Sequence, residues 1–136
     1  MGRILAIDYG VKRIGLAHTD ELKLIASPLD TVSSKEVITY LKKYFSQENV
    51  DCIVIGDPKK LNNKPAMISN KIILFANKLK KLFNKPIHMI DERYTSKIAY
   101  KSLVLMNAKK SKRKDKALVD QISAVIILQS FLNIEK

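Results

Sequence analysis

The chain has 136 residues, of which 46% are hydrophobic, and it carries 25 lysines and arginines against 13 acidic residues. This length predicts one domain spanning residues 1–136, and no apolar run approaches the roughly 20 residues of a membrane-spanning helix. The formal net charge of +12 favours a polyanionic partner, nucleic acid above an acidic membrane surface. Cys52 is the single cysteine, which excludes an internal disulfide. Because a strand-like segment follows Met1 directly, we expect no secretory signal and a cytoplasmic protein.

The first part of the chain predicts an antiparallel meander. Residues 3–9 form an apolar run typical of a buried strand, and residues 13–19 form a second strand after a short link that contains Gly10. Residues 24–31 predict a third strand, in which Pro28 indicates an edge or a bend.

The hydrophobic pattern then changes to alternating helices and strands. Apolar residues at helical spacing predict a helix over residues 37–45, capped by Ser33 or Ser34. Further elements are predicted in this order: a strand at 51–56, a loop at 61–65, a helix at 67–83, a strand at 86–90, a helix from Thr95 or Ser96 to 105, a basic loop at 107–116 and a helix at 117–132.

Three antiparallel strands followed by alternating helices and strands predict an α/β fold. We expect a mixed five-stranded sheet flanked by helices, with the later strands parallel to the first.

Acidic residues follow three of the predicted strands. The first strand ends in Asp8, the fourth is followed by Asp57, and the fifth by Asp91 and Glu92. Asp120 is the lone acid in the apolar stretch LVDQISAVIIL, so we expect it to face solvent or to pair with a cation. Ligands of open α/β sheets bind beyond the carboxyl ends of the strands, and carboxylates gathered there repel one another unless they share a cation. The pattern therefore favours a site for Mg²⁺ or Mn²⁺.

Each of these acids also has an explanation without a metal. Asp8 and Asp57 are residue types that begin turns, and Asp120 could be a solvated helix residue. Since strand side chains alternate between faces, only one of Asp91 and Glu92 can point into the site, and we favour Glu92. Whether Asp57 or Asp91 joins the site stays open.

The two histidines are interpreted as structural. His18 and His88 each lie on a predicted strand, and neither belongs to a serine–histidine–aspartate arrangement or to a cluster with zinc-ligand spacing.

Four motifs carry a family likeness: ILAIDYGVKRIGLAHTD, IVIGDP, IDERYTS and LVDQISAVIILQSFL. In this order and spacing the chain resembles the YqgF/RuvX family of Holliday junction resolvases, also described as pre-16S ribosomal RNA nucleases, over its whole length. It departs from the family pattern at Asp57, where leucine is usual, and at Tyr94 and Ser96 of the IDERYTS motif.

The resemblance implies a ribonuclease H-like fold and a divalent-metal nuclease. The acidic site of the family falls on Asp8, Glu92 and Asp120, which would hold two Mg²⁺ or Mn²⁺ ions. Two such ions activate a water molecule and stabilise the leaving oxygen in phosphodiester cleavage. The residues implied to contact nucleic acid are Lys12, Arg13, Arg93 and Thr95.

The leading functional hypothesis is a nuclease for structured nucleic acid, with the 5′ end of pre-16S rRNA ahead of branched DNA as substrate, acting as a monomer or a homodimer. A non-catalytic nucleic-acid-binding factor in ribosome maturation or transcription is the alternative. The basic loop, with Lys110, Lys112 and Arg113, would suffice for such binding. An ATP-binding actin-like lobe shares the Asp-x-Gly motif, but those proteins generally use two lobes, and this chain supplies one at most.

Overall fold

The computed structural model describes residues 2–57, 67–91 and 116–135. These residues form five strands and three helices. In chain order they are β1 (Arg3–Asp8), β2 (Arg13–Thr19), β3 (Ala26–Ser33), α1 (Val37–Gln47), β4 (Val50–Asp57), α2 (Met67–Phe83), β5 (Ile87–Asp91) and α3 (Lys116–Glu135).

The five strands form one mixed sheet in the order β3-β2-β1-β4-β5. β2 is antiparallel to both β1 and β3, whereas β4 is parallel to both β1 and β5. The antiparallel pairs follow from short links, and the parallel strand β4 is reached through the crossover that contains α1. The predicted fold class and the edge position of Pro28 in β3 are confirmed.

Helices cover both faces of the sheet, and β1 contributes alternate residues to each layer. Leu5 and Ile7 lie in a buried cluster with side chains from α1 and α2. Ile4 and Ala6 lie in a second cluster with side chains from α3. The alternation of strand side chains therefore gives β1 two buried faces, which explains its continuous apolar sequence. Among the described helices, none is both long enough and apolar enough to cross a membrane.

The third strand begins two residues later than the sequence predicts, at Ala26. The carboxylate of Asp20 accepts hydrogen bonds from the backbone N–H groups of Leu22, Leu24 and Ile25, which form a turn instead of strand. Leu24 and Ile25 are 72% and 65% exposed, so their apolar character does not place them in the sheet. The turn held by Asp20 therefore occupies residues up to Ile25, and the strand begins only at Ala26.

The predicted serine cap of α1 is wrong. Ser33 is the last residue of β3, and α1 is preceded by Glu36, whose side chain makes no capping hydrogen bond. The hydroxyl of Ser34 instead donates to the carbonyl of Val11 in the β1–β2 turn, at 2.7 Å. The hydroxyl of Ser34 therefore links the segment before α1 to the β1–β2 turn. Helix periodicity does not reveal this role.

The other predicted elements agree with the structure to within three residues at each end, and α2 agrees at both ends. The predicted helix ending at 105 and the predicted loop at 61–65 lie outside the described residues. So does the basic loop, except that Lys116 begins α3.

Both histidines contact aromatic residues, although His18 is half-buried and His88 is exposed. His18 Nδ1 and the Tyr44 hydroxyl are hydrogen-bonded at 2.9 Å, in a partly buried position. The ring of His88 lies 5.0 Å from the ring of Phe131 of α3, centroid to centroid.

The environment of His18 favours its neutral form. Burial lowers the pKa of His18 below the ordinary value of 6.5, the positive charge of Arg3 lowers it further, and the negative charge of Glu48 partly opposes both. The unfolded chain therefore binds a proton more readily at this residue than the native protein does.

This difference predicts that the protein loses stability as the pH falls below 6.5, because protonation of His18 favours the unfolded state there. The contribution is fully present above the unfolded pKa and is lost toward the lower pKa of the folded state. We expect His18→Gln to flatten the dependence of the unfolding free energy on pH below 6.5, where the unfolded chain takes up the proton before the folded protein does. Urea denaturation at several pH values measures this slope.

His88→Gln is the matched control, since it removes a histidine elsewhere on the sheet. Equal slopes in the wild type and His18→Gln would contradict the assignment.

Candidate active site

The first candidate ligand, Asp8, ends β1 on the sheet face that α3 covers. It lies two positions after Ala6, which packs against α3, and its Cα partner in β2 is Gly15. Residues opposite each other in an antiparallel pair share a face of the sheet, so Asp8 and Gly15 both face α3. Asp8 is half-buried, at the edge between the sheet and solvent.

The second candidate ligand, Asp120, comes from the N-terminal part of α3. A side chain at Gly15 would collide with the backbone carbonyl group of Asp120, because the helix lies directly against the strand at this point. Gly15 thus permits the close approach of helix and strand. Since Gly15 is also the partner of Asp8, Asp8 and Asp120 both lie next to one glycine, although they are 112 positions apart along the chain.

Arg13 forms an ion pair with Asp120. The guanidinium Nε lies 2.9 Å from Oδ2, with the side chains 45% and 23% exposed. The cation expected beside Asp120 is therefore present within the chain itself. A pair this exposed contributes about 0–1 kcal/mol, so it orients the two side chains more than it holds the helix.

The turn between β1 and β2 is fixed from two sides. A side chain at Gly10 would collide with the backbone carbonyl of Arg13, which explains the glycine in this tight reversal. The N–H of Ser34 donates to the carbonyl of Lys12 at 3.0 Å, in addition to the Ser34–Val11 hydrogen bond. Lys12 is exposed on this fixed turn, and Arg13 follows it at the start of β2.

The structure brings together Asp8, Asp120, Arg13 and Lys12 at the carboxyl end of β1. The other predicted site residues lie outside the described residues: Glu92, Arg93, Thr95, Lys110, Lys112 and Arg113. Asp57 and Asp91 are the last residues of β4 and β5, and they are partners in the parallel pairing of those strands. Within the described parts of the chain, no group of three His, Cys, Asp or Glu side chains is arranged to hold a metal ion.

Sequence reasoning missed the part that Gly15 plays. The signal for it was a glycine inside the strand RIGLAHT, since an isolated glycine in a strand often marks a close approach of another backbone.

The mixed sheet, with its antiparallel β1–β3 meander extended by the parallel strands β4 and β5, defines a ribonuclease H-like fold. A family model described as RuvX, Holliday junction resolvase, matches residues 2–134. The chain belongs to this family.

Curated relatives match the chain over nearly its whole length. A protein of Christiangramia forsetii is 49% identical over 133 residues, which cover 97% of this chain and 98% of the relative. A protein of Parabacteroides distasonis is 48% identical over 137 residues, which cover 100% of this chain and 98% of the relative. Both relatives bear the name "Putative pre-16S rRNA nuclease".

Solved resolvase structures share the fold at low sequence identity. The fowlpox virus Holliday junction resolvase superposes with a TM-score of 0.60 at 15% identity, covering 98% of this chain and 99% of that protein. RuvC of Thermus thermophilus, solved in complex with a Holliday junction substrate, gives a TM-score of 0.60 at 12% identity, with 98% and 96% covered. At these identities the likeness establishes the fold.

The contact at Gly15 predicts that Gly15→Ala destabilises the protein. The added methyl group must push α3 away from β2, and overpacking of this kind costs about 1–3 kcal/mol. Glycine replacement also reduces the entropy of the unfolded chain, which offsets about 0.4–1 kcal/mol of that cost. Urea denaturation measures the difference in unfolding free energy, and an unchanged midpoint would contradict the close approach.

Proposed function

We propose that this protein is a Mg²⁺- or Mn²⁺-dependent nuclease, a single domain over residues 1–136, that hydrolyses phosphodiester bonds in structured nucleic acid. The observation that carries the proposal is that Asp8 and Asp120 both lie next to Gly15, at the carboxyl end of β1. Family membership supports a nuclease, and the net charge of +12 supports a nucleic-acid substrate.

The donor set fits Mg²⁺ or Mn²⁺. Asp8 and Asp120 offer carboxylate oxygens, and Mg²⁺ is commonly held by one or two carboxylates while water and substrate phosphate complete its shell. Glu92 is proposed as the third ligand. Two residues that precede it in β5 support this choice, since His88 contacts Phe131 of α3 and Ile90 packs in the same cluster as α3. In the sequence Glu92 comes two positions after Ile90, so it continues the series of alternate positions 88, 90 and 92.

When two ions are bound at such a site, they supply a nucleophilic water and stabilise the leaving oxygen. The chain itself binds and orients the phosphate. Arg13 holds the carboxylate of Asp120, and its half-exposed side chain lies where a phosphate approaching Asp120 would meet it. Lys12 presents a second positive charge from the fixed turn. Arginine suits this position because its planar group can bind two phosphate oxygens at once.

The remaining basic residues are proposed to bind the nucleic-acid backbone farther from the scissile bond. These residues are Arg93, Thr95, Lys110, Lys112 and Arg113. Their contribution would be sequence-independent and would fall steeply with salt.

The 5′ end of pre-16S rRNA is the proposed substrate, supported by the names of relatives 48–49% identical to this chain. Holliday junctions are the second candidate, supported by the description of the family. Processing of ribosomal RNA would place the protein in the cytoplasm. Junction cleavage requires paired cuts and therefore a homodimer, whereas a monomer can trim RNA.

The proposal predicts that Asp8→Asn and Asp120→Asn each abolish cleavage while nucleic-acid binding persists. Loss of a ligand removes the metal, so the rate should fall by more than the roughly 10–100-fold that loss of an outer-shell partner costs. Cleavage of labelled pre-16S RNA and of a four-way DNA junction with Mn²⁺ measures the rate. Fluorescence anisotropy without metal measures binding.

Asp51→Asn is the matched control, because it makes the same chemical change at an exposed acid at the start of β4, the opposite end of the sheet. Normal cleavage by Asp8→Asn would refute the metal site. Binding of RNA by the wild type without any cleavage would leave the non-catalytic binding factor as the function.

A further inference from the structure

A groove on the other face of the sheet begins at the residue after Asp8. Its volume is about 290 Å³, and it is lined by Tyr9, Ser34, Val37, Ile38, Lys71, Leu74, Phe75 and Lys78. This volume lies just below the range for small-molecule sites, about 300–1,000 Å³. Its lining comes from α1 and α2, together with Tyr9, which follows β1, and Ser34, which is hydrogen-bonded to the β1–β2 turn.

Aromatic and aliphatic side chains form the floor of the groove. The ring of Tyr9 lies 4.9 Å from the ring of Phe75, centroid to centroid, with an interplanar angle of 42°. Val37 is 1% exposed and Phe75 is 8% exposed, so both are fixed in the core. Leu74, by contrast, is 69% exposed, so its apolar side chain is accessible at the groove.

Two lysines flank this apolar surface on α2. Lys71 and Lys78 are seven residues apart, which places them on the same side of the helix and about 10 Å apart along its axis. Leu74 and Phe75 lie between them at helical spacing. Among the described residues that line the groove, none is acidic, and the two charged ones are both lysines.

The groove adjoins the candidate active site through the backbone of β1. Tyr9 packs with the cluster of α1 and α2, whereas Asp8 faces α3. Ser34 lines the groove and is hydrogen-bonded to Val11 and Lys12 of the turn beside the site. A strand of nucleic acid that crosses the carboxyl edge of the sheet at Asp8 would therefore meet this groove next.

We propose that the groove binds one unpaired nucleotide of the substrate strand, next to the scissile phosphate, with its base against Tyr9 and Leu74 and its flanking phosphates on Lys71 and Lys78. Bases stack on aromatic side chains without regard to sequence, and lysines on both sides supply the complementary charge. This inference rests on the proposed nuclease function and defines its substrate class. The strand must be single-stranded or extruded where it is cut, because a paired base cannot enter a groove without leaving its stack.

The first test compares two pairs of lysines on the same helix. Lys71→Ala with Lys78→Ala removes the rim of the groove, and Lys80→Ala with Lys81→Ala removes the same charge from exposed lysines that do not line it. Binding of a fluorescein-labelled 12-nucleotide single-stranded RNA and of a duplex of equal length is measured by anisotropy in EDTA, across a range of KCl concentrations.

We expect the groove pair to weaken single-strand binding about tenfold or more, and to reduce the slope of log affinity against log salt by about 1–1.5. The control pair should weaken single-strand and duplex binding alike, and less. Equal effects of both pairs on both nucleic acids would overturn the proposal, since the lysines would then act only through net charge.

The second test addresses the base. Leu74→Ala removes the exposed side chain of the groove, and Ile73→Ala makes a like truncation at a neighbouring position, 53% exposed, which borders a different groove with Met89. We expect Leu74→Ala, but not Ile73→Ala, to weaken single-strand binding by about fivefold, because the base loses apolar contact with the leucine side chain.

A single-stranded RNA carrying 5-iodouridine should, on irradiation, crosslink to Tyr9, as mapped by mass spectrometry. Crosslinks confined to other residues would overturn the proposal. Dissociation of a dimer by Leu74→Ala, seen in sedimentation equilibrium with RNA binding unchanged, would show that a second copy of the chain occupies the groove.

Failure of these tests is separable from failure of the nuclease proposal. They measure binding without metal, whereas loss of cleavage by Asp8→Asn depends on the acidic site. A groove that binds no nucleotide leaves an active nuclease with a different path for its substrate.

Discussion

The backbone contact between Gly15 and Asp120 is the constraint on which the candidate site depends. α3 can lie directly against β2 only because residue 15 has no side chain. Packing then holds the helix in place, since Ile127 and Leu128 are fully buried against the sheet and each contributes about 1.5–3 kcal/mol on burial. That is more than the 0–1 kcal/mol of the exposed Arg13–Asp120 pair. The position of Asp120 relative to Asp8 is therefore set by backbone and core, and it does not rely on a flexible side chain.

β1 connects this acidic site to the groove on the opposite face. Consecutive strand residues point to opposite sides, so Asp8 faces α3 whereas Tyr9 packs with the cluster of α1 and α2. A nucleic-acid strand is wide enough to cross the edge of a sheet and to touch both. One dipeptide can thus place the proposed metal ligand and the proposed nucleotide-binding surface next to each other, with no linker whose movement would change their spacing.

Local periodicity predicted the fold but not the contacts between distant residues. α2 was placed at both ends because its apolar residues recur at helical spacing over 17 residues, and β2 because strand residues are bounded by turn residues. The local pattern around Ser34 predicts a helix cap, but its hydroxyl donates to the carbonyl of Val11, 23 residues away, a partner that no local pattern shows. For the same reason the sequence alone does not decide whether Asp120 faces solvent or pairs with a cation. Its partner Arg13 lies 107 residues away, and only the packing of α3 on β2 brings them together.

The same distinction applies to charge. A net charge of +12 predicts a polyanionic partner but assigns no surface, because most of the excess is lysine distributed along the chain. An arginine alone does not indicate a nucleic-acid contact, as Arg3 shows. Its guanidinium donates to Glu48 and to the carbonyl of Thr19, and so it stabilises the far end of the sheet. A basic residue indicates a binding surface only where a second feature lies beside it, such as a candidate metal ligand or an apolar surface. Arg13 meets that condition beside Asp120, and Lys71 and Lys78 meet it because the surface between them is apolar. Phosphates alone would need no apolar surface between the lysines, whereas a nucleotide brings both a base and phosphates to the same place.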